Sequence, residues 1–316
     1  MILPALGVMI LSSLLMPRNI RRLAAFVYMA GLVLMVATIL TGAEVKGARR
    51  WINLGSFSLQ ASEFVKPVLA VISAWMMSEK LRHPSFPGIS LSFFFLLLYV
   101  VLLILQPDFG MTIVTVATWG CQLFIAGIPL FWMALVLGIG LMGALGAYLL
   151  LPHVTRRVDQ FLDPSSGDPK HDLYQITQSL EAFKHGGIFG RGPGEGVVKK
   201  HIPDAHADFV FAVAGEEFGV LVCLLIVGLF GFVVIRSYLR VVNEQSLFVM
   251  LATSGIAFQF GMQSLVNMAS TLHIIPTKGM TMPFVSYGGS SMLALGLGMG
   301  IVLALTRKRY GVVDHL

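Results

Sequence analysis

Residues 201–235 read HIPDAHADFVFAVAGEEFGVLVCLLIVGLFGFVVI, a polar segment that runs directly into a long apolar one. The apolar part, 211–235, exceeds the roughly 20 residues that a helix needs to cross a bilayer. Hydrocarbon offers no hydrogen-bonding partner, so the backbone of such a run must satisfy its own N–H and C=O groups, as a helix does. The stretch therefore predicts a transmembrane helix that begins beside the polar residues His206 and Asp208.

Eight further apolar segments accompany this one. They span 1–16, 23–41, 63–79, 88–105, 111–127, 130–151, 247–269 and 287–305. The 316-residue chain is 56% hydrophobic and only 12% charged, whereas an average soluble domain is roughly 25% charged. We therefore expect an all-α polytopic membrane protein with about nine transmembrane helices.

The composition also limits the class of ligand. The net charge is +6, but in a membrane protein extra Lys and Arg mainly report orientation, so we do not expect nucleic acid as a partner. Both cysteines, Cys121 and Cys223, lie inside apolar runs and predict neither a disulfide framework nor a zinc site.

Basic residues follow alternate apolar segments. They lie after the first, third, seventh and ninth segments, as Arg18, Arg21, Arg22, Lys80, Arg82, Arg236, Arg240, Arg307, Lys308 and Arg309. By the positive-inside rule these links are cytoplasmic, so we expect a cytoplasmic C-terminus and an N-terminus outside. The long link 152–210 then lies outside, where we expect one or two short helices at the membrane surface.

Ionisable residues in or beside apolar segments are candidates for function, because each costs about 2.5–3.5 kcal/mol in a membrane unless it is paired or faces water. Glu63 and Lys66, in SEFVKP, share one helix face. They form either an internal salt bridge or a site where Lys66 meets a ligand anion. Asp108, in QPDFG, is either the N-cap of the next helix or a site residue.

The end of the long link poses similar alternatives. Asp208 is either an N-cap that complements the helix dipole or a catalytic carboxylate. Glu216 and Glu217 follow two turns later, and for either of them we expect the role of a structural acid that faces a cavity. The glycine-rich GRGPGEG, 190–196, follows no strand, so we expect a flexible loop rather than a phosphate cradle.

Two other links carry unusual residues. GARRW, 47–51, is basic although it is expected outside, which favours a functional role for its charge. TKGMTMPFVSYGGSS, 277–291, places Gly288 and Gly289 at the start of the last helix. Small residues there permit close helix approach or backbone that lines a cavity.

Five motifs together resemble the SEDS family (shape, elongation, division and sporulation) of bacterial membrane glycosyltransferases. In chain order they are GARRWINLG with LQASEFVKP, QPDFG, GRGPGEG, PDAHADFVFAVAGEEFG and KGMTMPFVSYGGSS. Each is weak alone, but five in order are specific. GRGPGEG and KGMTMPFVSYGGSS are more similar to the division-associated branch, FtsW, than to the elongation branch, RodA, and the chain resembles alphaproteobacterial members. The resemblance implies one SEDS domain over 1–316, with ten helices in the family, the first of which this chain would lack.

The resemblance also implies roles for individual residues. Asp208 occupies the place of the family's essential outer-loop aspartate, and we expect it to be catalytic. We expect the substrate to be bound by Arg50, Trp51, Glu63, Lys66, Asp108, His206, Glu217, Lys278, Ser286, Tyr287 and Gly288. Ala207 stands where the family has Thr or Ser, so a hydroxyl contact beside the carboxylate is missing.

The activity implied is polymerisation of lipid II into peptidoglycan at the outer face of the inner membrane, at the division septum. Asp208 would act as general base on the acceptor 4-hydroxyl. Arg50, Lys66 and Lys278 would stabilise the leaving undecaprenyl diphosphate, and a divalent cation, Mg²⁺ or Mn²⁺, is compatible with this chemistry. The implied partners are a class B penicillin-binding protein and other divisome membrane proteins. Two alternatives stay open: a lipid II flippase and a non-catalytic scaffold.

Overall fold

The computed structural model describes residues 1–45, 48–54, 57–150, 154–155, 158–159, 161, 172–276 and 280–307. Within these ranges a helix forms in each of the nine apolar segments, and a tenth lies in the long link. The helices are α1 (Ile2–Ser13), α2 (Pro17–Thr41), α3 (Ala61–Arg82), α4 (Gly88–Leu105), α5 (Phe109–Ile125), α6 (Leu130–Leu150), α7 (Asp172–Gly186), α8 (Val210–Val241), α9 (Leu247–Thr271) and α10 (Gly289–Thr306). Five of them, α2, α4, α8, α9 and α10, are long and apolar enough to cross a membrane. The prediction of a polytopic all-α membrane protein is confirmed.

A small antiparallel sheet joins α2 to α3. Its strands are β1 (Ala43–Val45), β2 (Ala48–Leu54) and β3 (Phe57–Leu59), in the order β1-β2-β3. Trp51 of β2 pairs with Ala43 of β1. The sequence analysis did not predict these strands, and they hold the predicted site residues Arg50 and Trp51 on an extended backbone.

The chain divides into two compact units. The first comprises Met1–Ala126, Val234–Gln259 and Gly289–Leu316, and the second comprises Gly127–Val233 and Phe260–Gly288. The core of the first unit is α3, which is buried on nearly all of its faces and packs against α2, α4, α5 and α10.

Close helix packing in the first unit depends on small residues. Helices α1 and α10 contact each other along most of α1. A Cβ atom added at Gly296 of α10 would lie 2.5 Å from the carbonyl oxygen of Ala5, so only glycine permits this approach.

The second unit contains α6, α7, a 3₁₀ helix (Val198–His201), the first part of α8 and the end of α9. Two apolar clusters hold it together. One consists of Ala182, Ile202, Phe209 and Ala212, and the other of Phe211, Cys223, Met268 and Met282. Helix α7 and the 3₁₀ helix lie in the described part of the link 152–210, where short helices were expected. Their number over the whole link and their position at a membrane surface stay predictions.

Helix α8 is interrupted at Gly219, whose backbone has φ 78° and ψ −177°. Side chains rarely tolerate this conformation. A Cβ atom at this position would also lie 2.3 Å from the carbonyl oxygen of Ile188, so the glycine is required for two reasons.

The preceding loop, 187–192, makes the hydrogen bonds that the interruption removes. The N–H of Val220 donates to the carbonyl of Gly187 at 3.0 Å, and the N–H of Arg191 donates to the carbonyl of Glu216 at 3.0 Å. In a continuous helix Val220 and Glu216 would bond to each other. In the loop 190–196, which we expected to be flexible, Arg191 and Gly192 are therefore bonded to α8 through their backbone N–H groups.

Candidate active site

Asp208 lies two residues before Val210, the first residue of α8. The first helical hydrogen bond runs from the N–H of Val213 to the carbonyl of Phe209 at 3.2 Å, which makes Phe209 the N-cap. Asp208 is one residue earlier and partly exposed. Both roles expected for Asp208, the cap of this helix and the catalytic carboxylate, stay predictions.

Three consecutive backbone carbonyls, those of residues 206–208, accept hydrogen bonds from other parts of the second unit. In chain order their donors are the N–H of Tyr287 at 2.9 Å, the hydroxyl of Ser286 at 2.5 Å and the amide Nδ2 of Asn267 at 3.0 Å. The backbone on both sides of the Asp208 carboxylate is therefore fixed to the segment 280–288 and to α9.

The segment 280–288 contains three of the predicted substrate-binding residues. The buried hydroxyl of Ser286 also accepts the N–H of Met282 at 2.7 Å. The ring of Tyr287 lies edge-on to that of His206, with centroids 5.8 Å apart. The structure thus brings His206, Asp208, Ser286 and Tyr287 together, and Gly288 follows directly in the chain.

Two buried amides on α9 were missed by the sequence analysis. Asn267 donates to the carbonyl of Met280 at 2.6 Å as well as to Asp208, and Gln263 donates to the carbonyl of Thr281 at 2.9 Å. A signal was present: Gln259, Gln263 and Asn267 recur every four residues within an apolar run. That spacing places them on one helix face, where amides need buried partners.

Glu216 is a structural acid, as expected for one of the two adjacent glutamates. Its side chain is fully buried and accepts the backbone N–H groups of Val197, Val198 and Lys199, each at 2.8 Å. Its Oε1 also lies 3.0 Å from Nδ1 of His185. The carboxylate therefore caps the 3₁₀ helix and joins it to α8.

Glu217, which was predicted to bind substrate, forms an ion pair with the ammonium group of Lys199. The same ammonium group donates to the carbonyl of Gly194 at 3.3 Å. This pair connects α8 to the loop before it, and the substrate-binding role of Glu217 stays a prediction.

In the first unit, Arg50 holds the turn between α4 and α5. Its Nε donates to the carbonyl of Gln106 at 2.7 Å, its Nη2 donates to the carbonyl of Pro107, and its Nη1 lies 3.5 Å from Oδ2 of Asp108. Asp108 in turn accepts the N–H of Met111 at 3.2 Å as the N-cap of α5. The capping role of Asp108 is confirmed, whereas its role in binding substrate is not tested.

Glu63 and Lys66 form the internal salt bridge that was one of their two expected arrangements. Nζ of Lys66 lies 2.9 Å from Oε2 of Glu63, and both side chains are buried. Trp51 is partly exposed on β2, and Lys278 lies outside the described residues. Within the part of the chain that the structure describes, no three His, Cys, Asp or Glu side chains are grouped to hold a metal ion.

The family profile described as cell cycle protein, FtsW/RodA/SpoVE, matches residues 1–311. A "Probable peptidoglycan glycosyltransferase FtsW" of Caulobacter vibrioides is 44% identical over 303 residues, which cover 96% of this chain and 77% of that protein. A protein of the same name from Saccharophagus degradans is 39% identical over 278 residues, or 86% of this chain and 70% of that protein.

Solved structures have the same fold. A structure described as "Structural coordination of polymerization and crosslinking by a peptidoglycan synthase complex" has a TM-score of 0.80 and 30% identity, and the match covers 98% of this chain and 88% of that one. The rod shape determining protein RodA of Thermus thermophilus has a TM-score of 0.66 and 29% identity, over 97% of this chain and 86% of that one. The resemblance expected from the motifs is confirmed, and the chain belongs to the FtsW/RodA/SpoVE family of cell cycle proteins.

Proposed function

We propose that this chain is a peptidoglycan glycosyltransferase that polymerises lipid II during cell division. The names of its relatives support the reaction class, since the protein from Caulobacter vibrioides is 44% identical and named for that activity. The match of the family profile to residues 1–311 supports one functional domain over the whole chain, with 152–210 as its long outer link.

The observation that carries the proposal is the setting of Asp208. Asp208 is partly exposed, lies two residues before a helix able to span a membrane, and stands on a backbone whose carbonyls are held on both sides. A lipid-linked sugar reaches the protein at the membrane surface, so a base at the end of a spanning helix lies at the right depth. A catalytic role for Asp208 would account for the polar residues that lie directly before the apolar run of α8.

In the proposed reaction, the 4-hydroxyl oxygen of the acceptor sugar attacks the anomeric carbon of the donor. A carbon–oxygen bond forms there while the bond to the diphosphate breaks, and the configuration is inverted. Asp208 takes the hydroxyl proton, and undecaprenyl diphosphate leaves with the bonding electrons. A general base of this kind contributes about 10²–10⁴-fold to the rate.

The leaving diphosphate develops negative charge, which cationic groups would stabilise. Arg50 and Lys66 are each paired with an acid in the first unit, at 3.5 Å and 2.9 Å. Their roles toward the diphosphate, and that of Lys278, stay predictions. A divalent cation would supply the same charge stabilisation, but no step here depends on one.

The test is polymer formation from lipid II by the purified chain, with Asp208→Asn as the variant. We expect no polymer, because the amide cannot accept the proton, and an unchanged unfolding temperature. Asp204→Asn is the matched control. Asp204 lies four residues earlier with φ 54°, a conformation that asparagine tolerates, so activity should stay within about threefold. Polymer made by the Asp208→Asn variant would remove this carboxylate from the mechanism.

The two rival functions predict different outcomes in proteoliposomes. A flippase would move labelled lipid II across the bilayer without forming polymer. A scaffold would support growth of a depleted strain even with Asp208→Asn. Either result would replace the polymerase proposal.

We also propose a partner and a location. The neighbour with a TM-score of 0.80 is described as a synthase complex that coordinates polymerization and crosslinking, which supports a crosslinking transpeptidase, a class B penicillin-binding protein, as the partner here. We place the chain in the inner membrane at the septum with its C-terminus in the cytoplasm. Co-purification tests the partner, and a C-terminal fluorescent or phosphatase fusion tests the location and the orientation.

A further inference from the structure

We infer that Asn267 is a positioning residue for Asp208, an inference that rests on the proposed function. The Asn267 side chain is fully buried on α9, and its Nδ2 donates to the carbonyl of Asp208 at 3.0 Å and to that of Met280 at 2.6 Å. An amide NH₂ group has two N–H donors, and both are engaged. One side chain thus joins the backbone of the proposed base to the segment after α9.

Asp208 needs such a contact because of its place in the chain. It precedes the N-cap of α8, so the helical hydrogen bonds of α8, which start at the carbonyl of Phe209, do not include its carbonyl. Fixing that carbonyl fixes the direction of the side chain. A general base must lie about 2.6–3.2 Å from the oxygen atom whose proton it takes, and a misplacement of about 1 Å lowers the rate by about 10²-fold. Loss of Asn267 is therefore expected to lower kcat rather than to weaken binding.

Gln263 provides a comparison for a purely structural role. It lies one turn before Asn267 on the same helix face and is equally buried, and its Nε2 donates to the carbonyl of Thr281 at 2.9 Å. Both amides therefore hold the segment 280–288. The contact that singles out Asn267 is the one with the Asp208 carbonyl.

The experiment compares Asn267→Leu with Gln263→Met in the full chain. Each substitution keeps the approximate volume and removes the amide donors. We expect Asn267→Leu to lower kcat for lipid II polymerisation about 10–100-fold with KM changed by less than about threefold, while Gln263→Met lowers kcat by less than about threefold. Unfolding temperatures in detergent are measured for both. Equal losses of kcat, a wild-type kcat in Asn267→Leu, or an effect on KM alone would overturn the inference.

A second variant guards against a failure to fold, and the pattern of activities distinguishes failure of this inference from failure of the proposed function. If Asn267→Leu does not accumulate, Asn267→Ser replaces it. Serine has a single donor that cannot serve both carbonyls, so a wild-type kcat in that variant also overturns the inference. A wild-type chain that makes no polymer rejects the proposed function. Wild-type polymer, inactive Asp208→Asn and fully active Asn267→Leu reject only the positioning role.

Discussion

The carboxylate of Glu216 accepts the backbone N–H of Lys199 at 2.8 Å, seventeen residues back along the chain. Together with the bonds from Val197 and Val198, this contact fixes the 3₁₀ helix to the start of α8. The segment that leads to Asp208 thus begins from an anchored point.

The first prediction concerns this anchor. Glu216→Gln places an NH₂ group against backbone N–H donors, so at least one of the three loses its acceptor. A buried unpaired donor costs about 1–3 kcal/mol, and we expect the free energy of unfolding to fall by at least about 2 kcal/mol, measured by denaturant unfolding in detergent. In the control, Glu217→Gln, only a partly exposed ion pair with Lys199 is lost, worth about 0–1 kcal/mol. Equal losses would show that Glu216 is not an anchor.

The second prediction concerns the interruption of α8. Gly219→Ala adds a Cβ atom 2.3 Å from a backbone carbonyl at a φ of 78°, and strain and overpacking together should cost about 2–5 kcal/mol. Gly228→Ala, on the same helix with no atom within 4 Å of the added Cβ, should be neutral or stabilising by up to about 1 kcal/mol. Thermal unfolding of both variants is the measurement, and similar unfolding temperatures would contradict the structure.

The third prediction concerns the salt bridge between Glu63 and Lys66. Both side chains are buried, at 7% and 3% exposure, so removal of one partner takes the opposite charge of this ion pair away from a buried group and should cost about 3–5 kcal/mol. We expect Glu63→Gln and Lys66→Met each to destabilise the fold by this order. The double variant should lose less than their sum by at least about 1 kcal/mol. A double-mutant cycle of unfolding free energies measures this coupling, and strict additivity would argue against the pair.

The fourth prediction concerns Arg50. Its guanidinium group reaches the carbonyls of Gln106 and Pro107 and the carboxylate of Asp108, and the single ammonium of lysine cannot reproduce that geometry. Arg50→Lys should therefore lower stability by about 1–2 kcal/mol. The exposed neighbour Arg49 is the control, and Arg49→Lys should stay within about 0.5 kcal/mol. Parallel unfolding curves decide, and identical curves for the two variants would reject this role of Arg50.

The helices could be predicted from the sequence because, in hydrocarbon, each apolar segment must satisfy its backbone hydrogen bonds within itself. The run 211–235, for example, became Val210–Val241. The sheet could not be predicted in the same way, because the pairing of Trp51 with Ala43 joins residues of two separate strands. In retrospect, the alternating residues of β2 and β3 carried a weak strand signal.

The interruption of α8 could not be predicted either, because it depends on contact with another segment of the chain. Gly219, Gly228 and Gly231 lie in one apolar run and look alike in sequence. Only Gly219 has a positive φ among these three, because the loop 187–192 reaches the helix at that point. Asp208 became a candidate through its position before an apolar run and through the family resemblance. The contacts of Asn267 join α9 to segments distant in sequence, so they could not be predicted in that way.

The backbone hydrogen bonds between loop 187–192 and α8 have a consequence for folding during synthesis. Synthesis proceeds from the N-terminus, so this loop already exists when residue 219 leaves the ribosome. A truncated chain beginning after residue 192 would lack the partners of the Glu216 and Glu217 carbonyls and of the Val220 and Leu221 amides. Those four groups are one another's natural partners in an uninterrupted helix. Without loop 187–192 these residues would form a continuous helix. The interruption of α8 at Gly219 is therefore determined partly by residues that precede the helix in the chain.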